Sequence, residues 1–585
     1  MWKRSNVLMP RDGMQRMIQE KYCIGIKRMK IYNHILAIVV YGIVLGISIP
    51  ISNAQAVGAI NGGEILRQIQ PVKPTAPSGN QTGVAIPKQA RKVIPVGIAF
   101  LVKHIRITGN SLFDTATLHA LVADGEGKDL NVKQLNALAE RITAYYRKHG
   151  YSLARAILPA QEISEGVVEI RVLEARYSKI NLNDASRVRS GLLEATLSPL
   201  QSGEFIEAKT LDQSMLLLSD IPGIAANATL KAGDKVGTSD VDVNVRDLPM
   251  VIGQIFTNNF GNVVTGRVRG GVSLRLNNPL HLGDQLSFDG ITTGKDVNFG
   301  RLGYELVLNG YGTRIGGDYS LLHYTLGNTL SNLNGHGTAQ VASAWVKQPL
   351  QRSKTWNLYT RLQYNHKRLR DRIDASLIRS DRNLQSGEVN LSGDMRDHFI
   401  SGAVSTWNVQ WLSGRVNFKD VNAATTDAST ARTAGNFTKW SARLFRSQAL
   451  GQHIRLQVNL SGQWSKHNLD SVEKMVVGGS SGVRAYDVGV LSADSGYLAQ
   501  IELGYQVTSS WQIFALFDNQ HVRINNKPWA KGINSATLSG AGGGVRFNYG
   551  RWHAEAVVAK SVGSRSLLIS DSSKARAWGQ FSMGF

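Results

Sequence analysis

A chain of 585 residues is too long for one ordinary domain and long enough for two or three, and its 59 Gly, 17 Tyr, 16 Phe and 11 Trp beside only 14 Pro are the mixture that a membrane barrel produces. One cysteine, Cys23, excludes a disulfide framework and a thiolate metal site, as suits passage through an oxidising periplasm. Lys and Arg number 66 against 43 Asp and Glu, for a formal +23; residues 1–56 hold eight of the bases and two of the acids, which leaves +17 on the rest. Without a basic stripe on a recognisable module this surplus argues against nucleic acid as a partner and reads as a basic lumen and basic periplasmic surfaces.

The N-terminus has the three parts of a secretory signal peptide, expected over 1–56. Lys27, Arg28 and Lys30 precede an apolar stretch from Ile35 to Ile49, and Ala54-Gln55-Ala56 supplies small residues for cleavage. After Ala56 no run of eighteen apolar residues follows, so no helix is expected to span a bilayer. A spanning structure must then be a closed barrel, the other way to satisfy every backbone polar group in lipid.

Residues 57–96 read as a short helix, with Ile65, Leu66 and Ile69 on one face, followed by a mobile extended linker carrying Pro71, Pro74, Pro77, Pro87 and Pro95. Residues 97–176 read as a βααββ module: a strand over Val102–Thr108, a helix over Thr115–Ala123, and a second helix capped by Asn131. That second helix places Val132, Leu135, Leu138, Ile142 and Tyr145 at helical spacing and stops at Gly150; strands over Ser152–Leu158 and Gly166–Leu173 close the module. A second unit of the same order spans 177–249, with strands near Ser178–Leu182, Ala225–Lys231 and Asp240–Val245 and helices near Ser190–Leu197 and Lys209–Ser219. Tandem copies of one supersecondary pattern usually present binding surfaces.

From about Met250 the texture turns to period two and stays there. Trp356, Leu358, Thr360, Leu362 and Tyr364 share one face against Asn357, Tyr359, Arg361, Gln363 and Asn365; Trp407, Val409 and Trp411 alternate with Asn408 and Gln410. Strands of roughly ten residues, with aromatics near their ends, predict an outer-membrane barrel over 250–585. At about 21 residues per strand and connection the segment holds roughly 16 antiparallel strands, enclosing a lumen wide enough for an unfolded polypeptide. The chain ends on Phe581, Met583 and Phe585 alternating with Ser582 and Gly584. That ending resembles the signal by which the barrel-assembly machinery recognises barrels for insertion.

Searches for chemistry return little. No phosphate loop is present, no two histidines lie within four residues of one another, and so neither a nucleotide, a metal nor another cofactor is expected. Gly478-Gly479-Ser480-Ser481-Gly482 matches a G-x-S-x-G string, but in a Gly/Ser-rich loop between barrel strands and not in the strand–turn–helix that a nucleophile elbow needs, so no enzyme is expected.

The same loop continues Val483-Arg484-Ala485-Tyr486, and Asp494-Ser495-Gly496-Tyr497 follows. Together with Ile105-Arg106-Ile107-Thr108-Gly109-Asn110, Tyr145-Tyr146-Arg147-Lys148-His149-Gly150-Tyr151 and Leu158-Pro159-Ala160-Gln161, it makes the chain resemble the two-partner secretion transporters of the ShlB/FhaC/HecB haemolysin secretion/activation family. The resemblance covers nearly the whole chain after the signal peptide. It implies a transmembrane β-barrel of sixteen strands preceded by two α+β POTRA modules, with an N-terminal helix that can sit in the pore. It also implies an outer-membrane translocator that takes a secreted exoprotein through its periplasmic POTRA modules; a barrel assembly factor and a passive porin are the alternatives.

Val483, Arg484 and Tyr486 match the family's Val-Arg-Gly-Tyr tetrad on the sixth extracellular loop, with Ala485 in place of glycine; were a positive φ required there, alanine would be strained. The resemblance also implies a barrel aspartate as partner of the loop arginine, and Asp518 in Leu516-Phe517-Asp518-Asn519-Gln520 is the counterpart. In a wet lumen such a pair is expected to be worth well below the roughly 3–5 kcal/mol lost when a buried pair is broken.

Overall fold

The computed structural model describes residues 61–69, 84–85, 98–564, 566–569 and 574–585; the expected signal peptide and most of the linker lie outside them. Among the described residues no helix is long and apolar enough to cross a membrane. Sixteen antiparallel strands close into a barrel, from Val251–Asn258 round to Arg576–Gly584, which pairs back onto the first strand over Gln254–Asn258 and Gln580–Gly584. The period-two pattern decides the two faces. Trp356, Leu362, Tyr364, Val409 and Trp411 are exposed on the outside, whereas Asn357, Tyr359 and Asn365 are buried inside. Strand length departs from the expected ten or so: Gly335–Gln351, Trp356–Ile373 and Ile378–Asp397 have 17, 18 and 20 residues. Their ends continue to pair with one another beyond the length that a bilayer requires, so loops expected from the spacing are strand instead.

In the first module, the three-stranded sheet runs in the order His104–Thr108, Val167–Leu173, Arg155–Ile157. The strand expected over Val102–Thr108 breaks at Lys103, because the Lys103 and His104 amides both donate to the Gly166 carbonyl. Phe100–Val102 then pairs with Lys128–Leu130, a short strand without alternation to announce it. Asn131 caps the Val132–Lys148 helix in a full capping box with Gln134. Leu135, Leu138 and Ile142 face the core as the spacing predicts, but Tyr146, not Tyr145, completes the buried stripe, and Val132 is exposed.

Tyr146 is drawn inward by a polar partner: its hydroxyl donates to Glu174 Oε1 at 2.6 Å. The same carboxylate accepts from the Ser111 amide (2.8 Å), the Leu112 amide (2.9 Å) and the Ser111 hydroxyl. Burial opposes the Glu174 charge, but the two hydroxyls and two amides outweigh it and hold the carboxyl below the usual glutamate range. Glu174→Gln is therefore expected to destabilise this module by about 1–3 kcal/mol at neutral pH, measured by proteolysis of the full chain across a urea series. The native carboxyl titrates below its unfolded value, so its contribution is complete at neutral pH. It drains away as the pH falls from about 4.3 through the lowered native value, and wild type and variant should converge there.

The second module orders Val84–Ala85, Ile224–Ala232, Thr238–Asp247 and Arg176–Ala185 in one sheet under helices Ser190–Leu197 and Ala208–Ser219. Part of the linker expected to be mobile thus forms its edge strand, parallel to Ile224–Ala232 with Val84 opposite Ala228. This module is fixed to the periplasmic turns of the barrel. Arg352, whose side chain is fully buried, bonds Asp220 through Nε (2.8 Å) and Nη2 (2.9 Å) and donates to Asn357 at 3.1 Å. Lys354 meets Asp212 at 2.7 Å, and the Arg189 amide donates to the His281 carbonyl.

Candidate functional site

Among the described residues, two segments that are not part of the wall occupy the lumen. The first is the Gly62–Ile69 helix. Its Ile65, Leu66 and Ile69 are buried in one cluster with Phe299, Leu322, Tyr324, Val341, Leu369 and Leu384, so the apolar face read from the sequence is the face that meets the barrel interior. Eight residues cannot hold a helix in water on their own; tertiary contacts supply the rest. The Asn61 side chain accepts from the Gly63 (3.0 Å) and Glu64 (3.2 Å) amides as an N-cap. The Gly62 amide donates to Asp371 Oδ1 at 2.8 Å, an atom that also accepts from the Tyr324 hydroxyl. Arg382 bridges that aspartate to the loop, reaching Asp371 and Asp470 at 2.6 Å each.

The sixth extracellular loop, between strands Ile454–Ser465 and Ser495–Gln506, is the second segment, and the helix lies against it. Ser471 donates to Asn61 Oδ1 (2.6 Å), Ser492 donates to Glu64 Oε1 (2.6 Å), and the Arg67 Nε donates to the Lys474 carbonyl (3.2 Å). The approach is close enough that Gly63 has no room for a side chain: a Cβ there would stand 2.4 Å from Ser471 Oγ and 2.7 Å from the Val472 amide nitrogen. The loop base is tied to the wall by buried Glu473, which Lys439 meets at 2.7 Å and Lys367 also contacts.

At the loop tip Val483, Ala485 and Tyr486 are buried with Leu538, Val557 and Trp578 of the wall. The structure brings Arg484 and Asp518 together. Nε lies 2.9 Å from Oδ2 and Nη2 lies 2.6 Å from Oδ1, a bidentate pair, and the Arg484 amide adds a third bond to Oδ2 at 3.0 Å. Glu502 takes the remaining nitrogen, Nη1, and is itself shared with Arg546 at 3.3 Å. The Trp578 indole donates to the Arg484 carbonyl at 2.7 Å. No role for Glu502, Arg546 or Trp578 was legible in the sequence, since they sit on three different strands. Gln520, two residues past Asp518, does carry a signal in hindsight. It accepts from the Gly478 amide and donates to the Val476 carbonyl, so a single strand holds the loop at two points.

Two expectations about this tip change. The pair is not in a wet environment: the Arg484 side chain is 7% exposed and that of Asp518 0%, because the loop packs flat on the wall and excludes water. Alanine at position 485 is not strained either, since its φ is not positive; the left-handed positions are Gly478 (+77°), Gly479 (+88°) and Gly489 (+69°). The glycine that the tip does need lies across from it. A Cβ on Gly540 would come within 2.6 Å of the Ala485 methyl.

Residues 100–175 match the ShlB-type POTRA domain, and residues 237–547 match the family described as haemolysin secretion/activation protein ShlB/FhaC/HecB. Among curated proteins, the heme/hemopexin transporter protein HuxB of Haemophilus influenzae (strain Rd) is 27% identical over 560 residues, 94% of this chain and 98% of that protein. The outer membrane transporter CdiB of Escherichia coli O6:K15:H31 is 26% identical over 434 residues, 72% of this chain and 70% of that one. In solved structures, CdiB from Escherichia coli superposes with a TM-score of 0.65 at 22% identity, covering 89% of this chain and 96% of that chain, and CdiB from Acinetobacter baumannii with 0.57 at 20% identity, covering 85% and 92%. With more than half of its length matched by one family, and with the barrel and POTRA modules in the order described above, the chain belongs to the ShlB/FhaC/HecB haemolysin secretion/activation family, the outer-membrane transporters of two-partner secretion.

Proposed function

We propose that the chain captures one large, unfolded partner exoprotein, of the haemolysin or haemagglutinin-like class, and passes it through the barrel lumen to the cell surface. The observation that carries this reading is the nature of the obstruction. Helix Gly62–Ile69 is held by side-chain contacts and caps and pairs with no barrel strand, so it can leave while all sixteen strands stay closed. Arg484, clamped by Asp518, keeps the loop tip with Val483, Ala485 and Tyr486 against the wall and so sets the shape of the path.

Capture is assigned to the first module. His104–Thr108 is an edge strand, and beside it a cleft opens between the strand and helix Thr115–Ala120, floored by Ile105, Ile107, Ala116 and Ala120. An extended segment can add there as a further strand, with main-chain bonds giving affinity at little demand on side chains. The linker residues Val84–Ala85, paired onto the second module, are an example of such an addition within the chain itself.

No nucleotide or other cofactor enters this scheme, and folding of the passenger outside, at a net of about 5–15 kcal/mol, is enough to oppose backsliding. The Gly478–Gly482 string turns through left-handed Gly478 and Gly479 in the sixth extracellular loop, not through the strand–helix elbow of a hydrolase. The outward apolar side chains meet outer-membrane lipid, and the C-terminal strand ending in Phe585 is the segment for the barrel-assembly machinery to recognise.

The test is secretion of a tagged candidate exoprotein, encoded nearby, in cells with and without this chain. The expected result is loss of the extracellular protein, with the passenger trapped or degraded in the periplasm. Unchanged secretion together with depletion of other outer-membrane barrels would replace this reading with that of an assembly factor.

A further inference from the structure

Spacing along the chain gives no metal site, because His104 and His119 are fifteen residues apart and Glu126 is seven further on. Folding removes that separation. His104 opens the edge strand of the first module, His119 lies on the Thr115–Ala120 helix, and Glu126 follows the Ala123–Gly125 turn. Their ligand atoms lie within 4.8 Å of one another. His104 Nδ1 is 2.9 Å and His119 Nε2 3.0 Å from the same oxygen, Oε1 of Glu126.

His119 Nε2 is hydrogen-bonded to Glu126 Oε1, whereas His104 Nδ1 is a close contact to the same atom. Glu126 Oε1 already accepts from the Ile105 amide at 2.7 Å. Two ring nitrogens within 3.0 Å of the same oxygen crowd an atom that is already occupied. Two imidazole nitrogens and a carboxylate oxygen within 4.8 Å of one another are a donor set that one cation can hold together.

We propose that His104, His119 and Glu126 form a binding site for one divalent transition-metal ion of the Zn2+ class on the periplasmic face of the first POTRA module. Two imidazoles and one carboxylate match the borderline preference of Zn2+ and its neighbours and are a poor set for Ca2+ or Mg2+, which favour all-oxygen shells. Three protein ligands leave the fourth tetrahedral position open to water or to a donor from outside. The site is also supported from behind. The Ile105 amide orients the carboxylate, donating to Glu126 Oε1 at 2.7 Å. Asp114 caps the helix that carries His119, accepting from the Thr117 amide at 3.2 Å. The ion would sit at one end of the cleft along the edge strand. The site itself rests on the three side chains and holds whether or not that edge captures the passenger.

The experiment uses the full chain in detergent, purified through a tag without histidine, and titrates Zn2+ against a chromogenic chelator. Binding of one equivalent is expected. His104→Ala, His119→Ala and Glu126→Gln should each raise the Kd at least about tenfold, the loss that removal even of a supporting partner typically brings. His149→Ala, a histidine of the same module outside the trio, should leave it unchanged. Co2+ in place of Zn2+ should give visible d–d absorption that the His119→Ala variant lacks. Retained heat-modifiability and an unchanged circular dichroism spectrum show that each variant is folded. Affinity and stoichiometry equal in wild type and all three variants, or no Zn2+ bound by the wild type, would overturn the proposal.

Discussion

Arg484→Ala is expected to give a barrel that inserts in normal amount and no longer secretes. The guanidinium serves two carboxylates at once, Asp518 through two bonds and Glu502 through a third. With Arg484 gone, Glu502 keeps Arg546, but Asp518 keeps only an amide bond from residue 484. Leaving one partner of a buried pair uncompensated costs roughly 3–5 kcal/mol, and the exclusion of water at this tip puts the pair in that range and not below it. The cost falls on the loop. The wall is held by sixteen continuous ladders that do not involve the loop, so the strands survive while Val483–Tyr486 peels from Leu538 and Trp578. Three measurements check this: the heat-modifiable band on gels should persist, protease should cut within 478–490, and secretion should fall. Loss of the folded band itself would assign Arg484 to assembly alone. Arg484→Lys should be intermediate in secretion, because it keeps the charge and loses the bidentate geometry.

Gly63→Val is expected to open the channel. Its side chain would be driven into Ser471 and the Val472 amide, backbone of a loop that Glu473 and Asp470 hold in place. Overpacking of this kind costs about 1–3 kcal/mol, and each such increment against the docked helix raises the undocked fraction by about 5- to 150-fold. Neither the barrel nor the POTRA modules depend on residue 63, so abundance should not change. Planar bilayer recordings should show a higher open probability, and cells should become sensitive to antibiotics normally too large for the outer membrane. Deleting 61–69 should match or exceed the effect. Unchanged conductance in both variants would mean that the helix does not limit the pore.

Much of this protein was written in local pattern. Alternation over Trp356–Asn365 assigned an inner and an outer face, because the pleat of a strand leaves a side chain no other choice. The number of barrel strands followed from length, since a bilayer fixes the span and an antiparallel meander fixes the order. Asn131 marked a helix start because capping is a mechanism confined to neighbouring residues, and Ile65, Leu66 and Ile69 marked one buried face. What the sequence could not determine is everything that depends on groups distant along the chain meeting in space. That includes the second carboxylate on Arg484, the dryness of its pocket, Tyr146 turned inward by Glu174, linker residues paired onto a module edge, and two histidines closing on Glu126. Periodicity encodes which way a side chain points from its own backbone. Which partner it finds, and how much water is left between them, is set only when the barrel closes and the loop folds into it.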